Sequence, residues 1–295
     1  MSAPILAAYC PHDADRAPVE FAVAAARATG DPLVIVSVHP PDAAAIEALA
    51  SELAADGVVA SVEVVDHGSP AHEIGRVVGE RSPQLLVLGS TSRGPRGRVL
   101  PGSTAERLIG GSPCPVAVVP HGFARPAGGM QTVAAGYAPT PEGRAALAAA
   151  ARLARAFGAR LRVVRVLDPR HAEEQSPGLM AAQHHDTDID EGIAGRERIT
   201  ERAELESAVA AAAEGLEADI DVLYQDPADG LDAASQVVDL LVMGSRSHGP
   251  LRSVALGGVS RRVIARAACP VLVLPRGSEE TTDALLGAAE AEARA

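Results

Sequence analysis

The most constraining feature of this chain is an internal repeat. Segment 85–116 begins with LLVLGS, passes a second glycine and ends in a CPV triplet, and segment 240–271 repeats this order as LLVMGS, glycine and CPV. The matching residues are each 155 positions apart: Gly89 with Gly244, Gly102 with Gly257, and Cys114 with Cys269. Three equal offsets indicate a duplication, so the chain consists of two homologous units, which we name unit one and unit two.

Composition limits both the core and the partners. The 295 residues are 47% hydrophobic but only 2% aromatic, with no Trp, so the core must consist of Val, Leu, Ile and Ala. Such residues suit helices packed closely on a sheet. The net charge of −12 disfavours binding to nucleic-acid phosphates and anionic membranes. We therefore expect neither a nucleic-acid partner nor a membrane partner.

The amino terminus and the cysteines indicate a cytoplasmic protein. Residues 1–10 are apolar but short, lack a basic leader and lead directly into Asp13 and Asp15, unlike a secretion signal. Cys114 and Cys269 are repeat equivalents, Cys10 stands alone, and there is no CxxC pair. We expect all three to be packed, reduced thiols, because a free cysteine commonly behaves as a small buried hydrophobe.

Short apolar runs alternate with Ala-rich amphipathic stretches, which predicts an α/β fold with a parallel sheet covered by helices in each unit. The predicted strands are 5–9, 33–38, 62–66, 85–88 and 116–119 in unit one, and 132–136, 161–167, 220–224, 240–243 and 271–274 in unit two. First helices are predicted over 15–30 and after Thr140. In the second of these, Thr140 caps the helix, Pro141 suits the first turn and Gly158 ends it.

The offsets also set the domain boundaries. Early equivalences such as Ile5 with Val133 differ by 128 positions and later ones by 155, so unit two carries about 27 extra residues after its second strand. We predict one domain over 1–121, a linker over 122–129, a second domain over 130–276 with an inserted loop at about 168–198, and a polar tail over 277–295.

The predicted insertion is rich in residues that can ligate zinc or manganese. No pair of them falls on an identified rigid element, and unit one has no counterpart, so a solvated acidic loop without a metal is the better interpretation. The residues concerned are His171, His184, His185, Asp186, Asp188, Asp190 and Glu191.

A glycine-rich loop follows the fourth predicted strand of unit one. Its glycines permit close backbone approach, the amides at the start of the next helix favour an anion, and its arginines can neutralise phosphate oxygens. The alternative is structural, because Ser103 and Glu106 fit an S-x-x-E capping box that needs no ligand. The loop contains Gly89, Ser92, Arg93, Gly94, Arg96, Gly97, Arg98, Gly102 and Ser103.

Unit two has a parallel loop, from Gly244 through Ser247 to Gly257 and Gly258. Arg261 and Arg262 then fall in the early turn of the next helix, where the helix dipole disfavours cations. Either a bound anion or a salt bridge to an acidic neighbour would compensate this placement.

The order of strand, G-x-x-G-x9-G-[S/T], helix and C-P-V strand resembles the universal stress protein family, and the two copies are similar to its tandem members. This resemblance implies two tandem Rossmann-like domains of the adenine nucleotide alpha hydrolase-like type, each a five-stranded parallel sheet, packed as a pseudo-dimer through their last strands. It also implies an adenine-nucleotide site in each unit, with ATP phosphates and their Mg on the loop residues Gly89, Ser92, Arg93, Gly102, Ser103, Gly244, Ser247, Gly257 and Gly258.

The departures from the family pattern weaken the expected ATP site. Ser92 and Ser247 stand where the family has its second glycine, and Cys10 and Tyr137 stand where ATP-binding members have an aspartate after the first strand. A side chain in the loop hinders approach of phosphate to the backbone. Ser92→Gly is therefore expected to tighten ATP binding, and unit one, which retains Gly102 and Ser103, is the stronger candidate.

The expected function is a stress-response regulatory module with degenerate ATP-binding loops, an unidentified protein partner and an internal pseudo-dimer that leaves a homodimer open. The alternatives are a nucleotide-independent interaction scaffold and a slow ATPase. No general base, metal cluster or Walker-type lysine is evident, so no catalytic residue is assigned. His39 and His67 follow predicted strands, and without a paired nucleophile they are interpreted as loop histidines.

Overall fold

The computed structural model of the chain describes residues 2–11, 15–40, 42–91, 94–168, 187–245 and 256–275, with the backbone alone for 187–198. Its elements in chain order are β1 (Ile5–Ala8), α1 (Ala17–Thr29), β2 (Leu33–Val38), α2 (Ala43–Ala55), β3 (Ala60–Val65), α3 (Pro70–Arg81), β4 (Leu85–Gly89), α4 (Ser103–Gly111), β5 (Val116–Val119), β6 (Thr132–Tyr137), α5 (Pro141–Phe157), β7 (Arg160–Leu167), α6 (Thr187–Ala212), β8 (Ala218–Tyr224), α7 (Pro227–Ser235), β9 (Leu240–Gly244), α8 (Gly258–Ile264) and β10 (Val271–Leu274).

All ten predicted strands lie in one continuous sheet, in the order β3-β2-β1-β4-β5-β10-β9-β6-β7-β8. Neighbouring strands within each unit are parallel. The two units join where β5 and β10 pair antiparallel, with Ala117 opposite Leu272. Because these two residues are repeat equivalents, a pseudo-two-fold axis passes between them. The predicted packing of the two domains as a pseudo-dimer through their last strands is confirmed.

Helices cover both faces of the sheet. Alternate strand residues point to opposite faces, so Ile5 and Ala7 belong to the core layer shared with α1, α2, α5 and α6, while Leu6 belongs to the layer shared with α3, α4, α7 and α8. Both core layers are built mainly of Val, Leu, Ile and Ala, and Phe21 is the largest fully buried side chain among the described residues. The composition therefore predicted the character of the core correctly.

Helix α5 begins and ends where the sequence places it. The Thr140 hydroxyl accepts a hydrogen bond from the Gly143 amide at 3.1 Å, and Pro141 is the first helical residue. Gly158 has a φ of 65°, the left-handed conformation that glycine adopts without steric cost. On the apolar face of this helix, Leu147, Ala150 and Ala154 are buried.

The insertion in unit two contains less loop than the sequence suggests. Helix α6 starts at Thr187 and has 26 residues, twice the 13 of its counterpart α2, so the prediction of a loop up to residue 198 is wrong over 187–198. An apolar stripe near the end of α6, in which Leu205 and Val209 are buried, packs the helix on the sheet. The earlier turns of α6 continue this packed segment. Residues 169–186 and the predicted tail from 277 lie outside the described residues.

The segment between the units is packed against unit one. Phe123 stacks edge-to-face on Phe21 of α1 with ring centroids 6.1 Å apart, and the Arg125 guanidinium contacts the Glu20 carboxylate at 2.6 Å. Helices α1 and α5 also contact each other across the unit boundary. The 122–129 segment is thus fixed on unit one, and the two units contact each other directly through α1 and α5.

Candidate functional site

Each unit has one crevice at the carboxyl edge of its sheet. In unit one β1 lies between β2 and β4, so the chain leaves the carboxyl ends of β1 and β4 in opposite directions. Ligands of open α/β sheets bind at such a switch point. The crevice of unit one lies between Cys10 and Ser90, and that of unit two lies between Tyr137 and Ser245, which follow β6 and β9.

The loop after β4 is closed by Ser90. The Ser90 amide and hydroxyl both donate to the Val119 carbonyl, at 3.0 and 2.8 Å, and the hydroxyl accepts from the Leu100 amide at 3.1 Å. The Thr91 amide donates to the Leu100 carbonyl at 2.8 Å. The loop therefore returns to the strand end, and Gly89 and Gly102 lie at the same edge of the sheet, as the sequence predicts.

Sequence reasoning missed the role of Ser90, although a signal was present. The repeat contains serine after the strand glycine in both units, and the Ser245 amide donates to the Leu274 carbonyl at 2.9 Å, the equivalent of the bond from Ser90 to Val119. The backbone bond is common to both units, and in unit one the Ser90 hydroxyl adds a second bond to the same carbonyl.

The glycines of the loop do different jobs. A methyl group on Gly89 would lie 2.9 Å from the Pro18 ring, and one on Gly244 would lie 2.8 Å from the Glu142 Cβ and 2.9 Å from its carbonyl oxygen. Both strand glycines are therefore required by packing against the first helix of their unit, α1 or α5. A methyl group on Gly102 would meet only the Thr91 Cβ, at 3.8 Å. Packing therefore does not require glycine at position 102. The open space beside this residue leaves room for a ligand to approach the backbone.

The start of α4 corrects the predicted capping box. Gly102 is the N-cap, with extended backbone at φ −81° and ψ 173°, and Ser103 is the first helical residue with no capping bond. The first intrahelical bond runs from the Glu106 amide to the Gly102 carbonyl at 2.9 Å. Ser103 cannot cap because a capping side chain must come from the extended residue before the helix. Within the described part of the chain, no partner accepts from the amides of 103–105.

Unit two differs at the equivalent helix. Helix α8 has only seven residues, and the Ser260 hydroxyl, 1% exposed, donates to the Gly244 carbonyl at 3.1 Å. This bond holds Gly244 close to the start of α8, and Glu142 packs against Gly244, whereas a methyl group on Gly258 would meet nothing within 4 Å.

Arg262 pairs with the Asp226 carboxylate at 3.1 Å. The expectation that Arg261 and Arg262 lie in an early turn is wrong, because α8 is so short that both lie in its last turn, where the helix dipole favours cations.

Three predicted binding residues, Ser92, Arg93 and Ser247, lie outside the described residues. Of the other loop arginines, Arg98 has a structural partner instead of a free guanidinium. It donates to the Arg266 carbonyl of unit two at 2.7 Å and contacts the Asp232 carboxylate at 3.3 Å. The next residue, Val99, is fully buried, and its amide donates to the Ala267 carbonyl at 2.8 Å. The expectation that Arg98 neutralises phosphate is therefore wrong, because the loop clasps unit two there.

The residues after the first strands also differ from expectation. Cys10 is exposed at the mouth of the crevice, so the prediction that all three thiols are packed is wrong for this one, because the first strand ends at Ala8. Cys114 and Cys269 are buried as predicted, and burial raises the pKa of the Cys114 thiol and raises the pKa of Cys269 to about 12. Tyr137 is the last residue of β6 and is half-buried.

An aspartate does lie at this edge of unit one, at a place that the family pattern did not indicate. The Asp15 carboxylate accepts from the Ala17 amide at 3.1 Å, the His121 Nδ1 at 2.9 Å and the Gly122 amide at 3.2 Å. Asp15 therefore anchors the start of α1 to the end of β5. Beside it, burial raises the pKa of Tyr9.

The two histidines singled out in the sequence have structural surroundings. The Nε2 atom of His39 donates to the Gly68 carbonyl at 2.8 Å, which removes this nitrogen from use as a base, and His39 has a φ of 52°. His67 is exposed in the turn before α3. Both agree with the interpretation as loop histidines.

Neither a metal site nor a membrane span is found in the described ranges. They contain no group of three or more His, Cys, Asp and Glu side chains able to hold a metal ion. Of the candidate ligands in the insertion, His171, His184, His185 and Asp186 lie outside the described residues, as do the side chains of Asp188, Asp190 and Glu191. No described helix is long and apolar enough to cross a bilayer.

Comparison with known proteins identifies the class of this fold. The Universal stress protein family profile matches residues 42–120 and 130–275. The chain belongs to the universal stress protein family, with two copies of the domain in tandem.

Individual relatives agree with this assignment. A universal stress protein of Mycobacterium tuberculosis is 31% identical over 229 residues, covering 75% of this chain and 74% of the relative. One of Thermus aquaticus is 33% identical over 148 residues, which is 49% of this chain and 98% of that protein. Among solved structures, a functionally unknown protein from Pseudomonas aeruginosa superposes with a TM-score of 0.70 at 20% identity, covering 98% of both chains. A universal stress protein from Archaeoglobus fulgidus gives 0.64 at 19%, covering 94% of this chain and all of the other.

Proposed function

We propose that this protein is a stress-response regulatory module that binds one adenine nucleotide per chain, with the phosphates at the start of α4 in unit one. The observation that carries the proposal is the open helix terminus at Gly102. Helix α4 has nine residues and begins at the crevice edge without a side-chain cap. Amides at a helix start favour an anion because they are unpaired and lie at the positive end of the helix dipole.

The residues at this terminus suit a phosphate chain. Gly102 leaves room for an oxygen to approach the backbone, the amides of 103–105 donate, and the exposed Ser103 hydroxyl adds a further donor. ATP would bring its Mg ion, since no cluster of acidic ligands is found among the described residues. Cys10 offers the nucleoside no carboxylate, so we expect weak binding that senses millimolar nucleotide.

Unit two is the poorer site for three reasons. Glu142 brings a carboxylate-bearing residue against Gly244, where unit one has the uncharged Pro18. The Ser260 hydroxyl occupies the Gly244 carbonyl. Helix α8 is two residues shorter than α4, which reduces the summed dipole at its start. These differences support a stoichiometry of one nucleotide per chain.

Regulation would follow from the position of the loop. The same segment that carries Gly102 also clasps unit two through Arg98 and Val99. Nucleotide that binds one arrangement of this loop more tightly would shift the population of loop states and change the surface that the module offers to a partner.

Calorimetric titration with ATP and Mg tests the proposal on the full chain. We expect one ATP per chain and a loss of affinity of about tenfold or more in Gly102→Val. Gly111→Ala at the other end of α4 and Gly258→Val at the start of α8 are matched controls, because an added methyl group meets nothing within 4 Å at either position. Two ATP per chain, or equal affinity in Gly102→Val, would contradict the proposal.

A nucleotide-independent scaffold is the second candidate. It is favoured by the hydrogen bonds that already close the loop, from Thr91 to Leu100 and from Val99 to Ala267. If no ATP binding is detected at about 10 mM nucleotide, well above the millimolar dissociation constant expected here, the scaffold function is the better description. A phosphate-release assay tests the ATPase alternative. We expect that the original chain releases phosphate from ATP no faster than the Gly102→Val variant does.

A further inference from the structure

A second concavity lies where the two units meet, between α4 and α8. This axial groove has a volume of about 280 Å³ and is lined by three pairs of repeat-equivalent residues, Pro101 with Leu256, Glu106 with Arg261, and Ile109 with Ile264. The members of each pair are 155 positions apart. The groove therefore straddles the pseudo-two-fold axis that passes between β5 and β10.

The charges of the groove break this symmetry. Position 106 and its equivalent 261 are the fourth residues of α4 and α8, yet one is Glu and the other is Arg. Two identical units would place like charges at both positions. After duplication the groove has acquired one carboxylate and one guanidinium on opposite walls.

The helix dipole suits both charges, so it does not decide whether they bind a ligand. Glu106 lies in the first turn of α4, whereas Arg261 lies in the last turn of the seven-residue α8. Neighbouring Arg262 has a partner in Asp226, but Arg261 is exposed and has no hydrogen-bond or ion-pair partner in the part of the chain that the structure describes. Glu106 is exposed as well, and it has no hydrogen-bond or ion-pair partner among the described residues. Both side chains are available to a ligand.

The floor of the groove is aliphatic. Ile109 is 5% exposed and Ile264 is fully buried, and Pro101 and Leu256 are half-buried on either side. The volume is slightly below that of pockets for drug-sized ligands, which suits a small metabolite. An apolar floor between opposite charges favours a molecule that has an aliphatic part, one anionic group and one cationic group.

We propose that the axial groove binds a small aliphatic zwitterion, with its carboxylate on Arg261, its ammonium group on Glu106 and its hydrocarbon part on the half-buried Pro101 and Leu256. This site is separate from the nucleotide site, because Gly102 and residues 103–105 are not among the residues that line the groove. The chemical class includes aliphatic α-amino acids, and L-leucine is a suitable probe.

Saturation-transfer NMR and calorimetric titration with L-leucine test the assignment on the full chain. Two analogues serve as controls, 4-methylpentanoate, which lacks the ammonium group, and 3-methylbutylamine, which lacks the carboxylate. We expect each to bind about tenfold more weakly than L-leucine, as is typical when one charged partner of a pair is removed. Equal binding of L-leucine and either analogue, or no binding of L-leucine, would overturn the proposal.

The pseudo-symmetry supplies a second, sharper test. Glu106→Arg alone and Arg261→Glu alone should each abolish L-leucine binding, since each leaves two like charges. The double variant Glu106→Arg, Arg261→Glu exchanges the charges across the axis and should restore binding to within about threefold of the original. Both positions are exposed, so folding is retained. A double variant that binds no better than the single variants would contradict the site.

Discussion

The two units have the same strands and the same strand order but differ at the mouth of the crevice. In unit one, Pro18 packs on Gly89 and the start of α4 is open at Gly102. In unit two, Glu142 packs on Gly244, and the Ser260 hydroxyl bonds to the glycine carbonyl. The strand glycine is therefore a packing requirement in both units. A glycine motif that survives duplication does not by itself show that both copies retain a ligand.

The crevice walls also differ in how they are held. Helix α5 begins with a side-chain cap from Thr140, whereas α1 follows Arg16 without such a cap. The Arg16 guanidinium instead forms two hydrogen bonds with the Glu52 carboxylate of α2, at 3.1 and 3.0 Å, and these bonds raise the pKa of Arg16. Unit two therefore relies on a local side-chain cap, whereas unit one combines the local bond from the Ala17 amide to Asp15 with a contact between helices.

The largest expected effect is at the strand glycines. Gly244→Ala places a methyl group against backbone atoms of Glu142 and should lower the free energy of unfolding by about 3 kcal/mol, at the upper end of overpacking costs. Gly89→Ala meets only the Pro18 ring and should cost about half as much. Urea unfolding followed by circular dichroism measures both variants. Equal losses would show that the two crevice walls are equally rigid.

The clasp between the units should contribute less. Arg98→Ala removes the hydrogen bond to the Arg266 carbonyl and the contact with Asp232, and because Arg98 is partly exposed we expect a loss of about 1.5 kcal/mol. Hydrogen exchange of the Ala267 region should also rise. Arg107→Ala, an exposed arginine of α4, is the control. If Arg98→Ala and Arg107→Ala lower the free energy of unfolding equally, the contacts of Arg98 with unit two do not stabilise the fold.

The two helix starts predict a smaller difference. Thr140→Ala deletes the cap of α5 and should cost about 1 kcal/mol, the usual value for such a side chain. Ser103→Ala, in the residue that the S-x-x-E pattern marks as a cap, should cost less than about 0.5 kcal/mol because Gly102 occupies the cap position. Thermal unfolding measures the stability of both variants. A larger loss of stability in Ser103→Ala than in Thr140→Ala would support the capping box that the sequence pattern predicts.

Thiol reactivity should distinguish the three cysteines without changing stability. Only the thiolate reacts, and burial holds the pKa of Cys114 and Cys269 well above pH 8. A disulfide reagent at pH 8 should therefore modify Cys10 in the folded chain and all three cysteines in urea. Cys10→Ser removes the fast reaction. Fast modification of Cys269 in the folded chain would show that the core layer beneath α8 opens readily.

Much of the fold could be predicted from the sequence. The apolar runs placed all ten strands to within about two residues, and Thr140, Pro141 and Gly158 marked the ends of α5, because these signals act over a few neighbouring residues. The candidate site was predicted less completely. Gly89 and Gly102 do lie together, but Ser103 is no cap, and Asp15 and Ser90 were not singled out.

The sequence by itself determined that the chain is a duplicated α/β protein, since equal offsets and period-two apolar runs are properties of the order of residues alone. The tertiary structure decided which glycines have neighbouring residues packed against them, which thiol is exposed and which groups Arg98 contacts. The contact from Arg98 to Asp232 joins residues 134 positions apart, and no local pattern records such a pairing. Local signals fix elements, whereas the surroundings of a side chain depend on segments that meet only when the sheet is assembled.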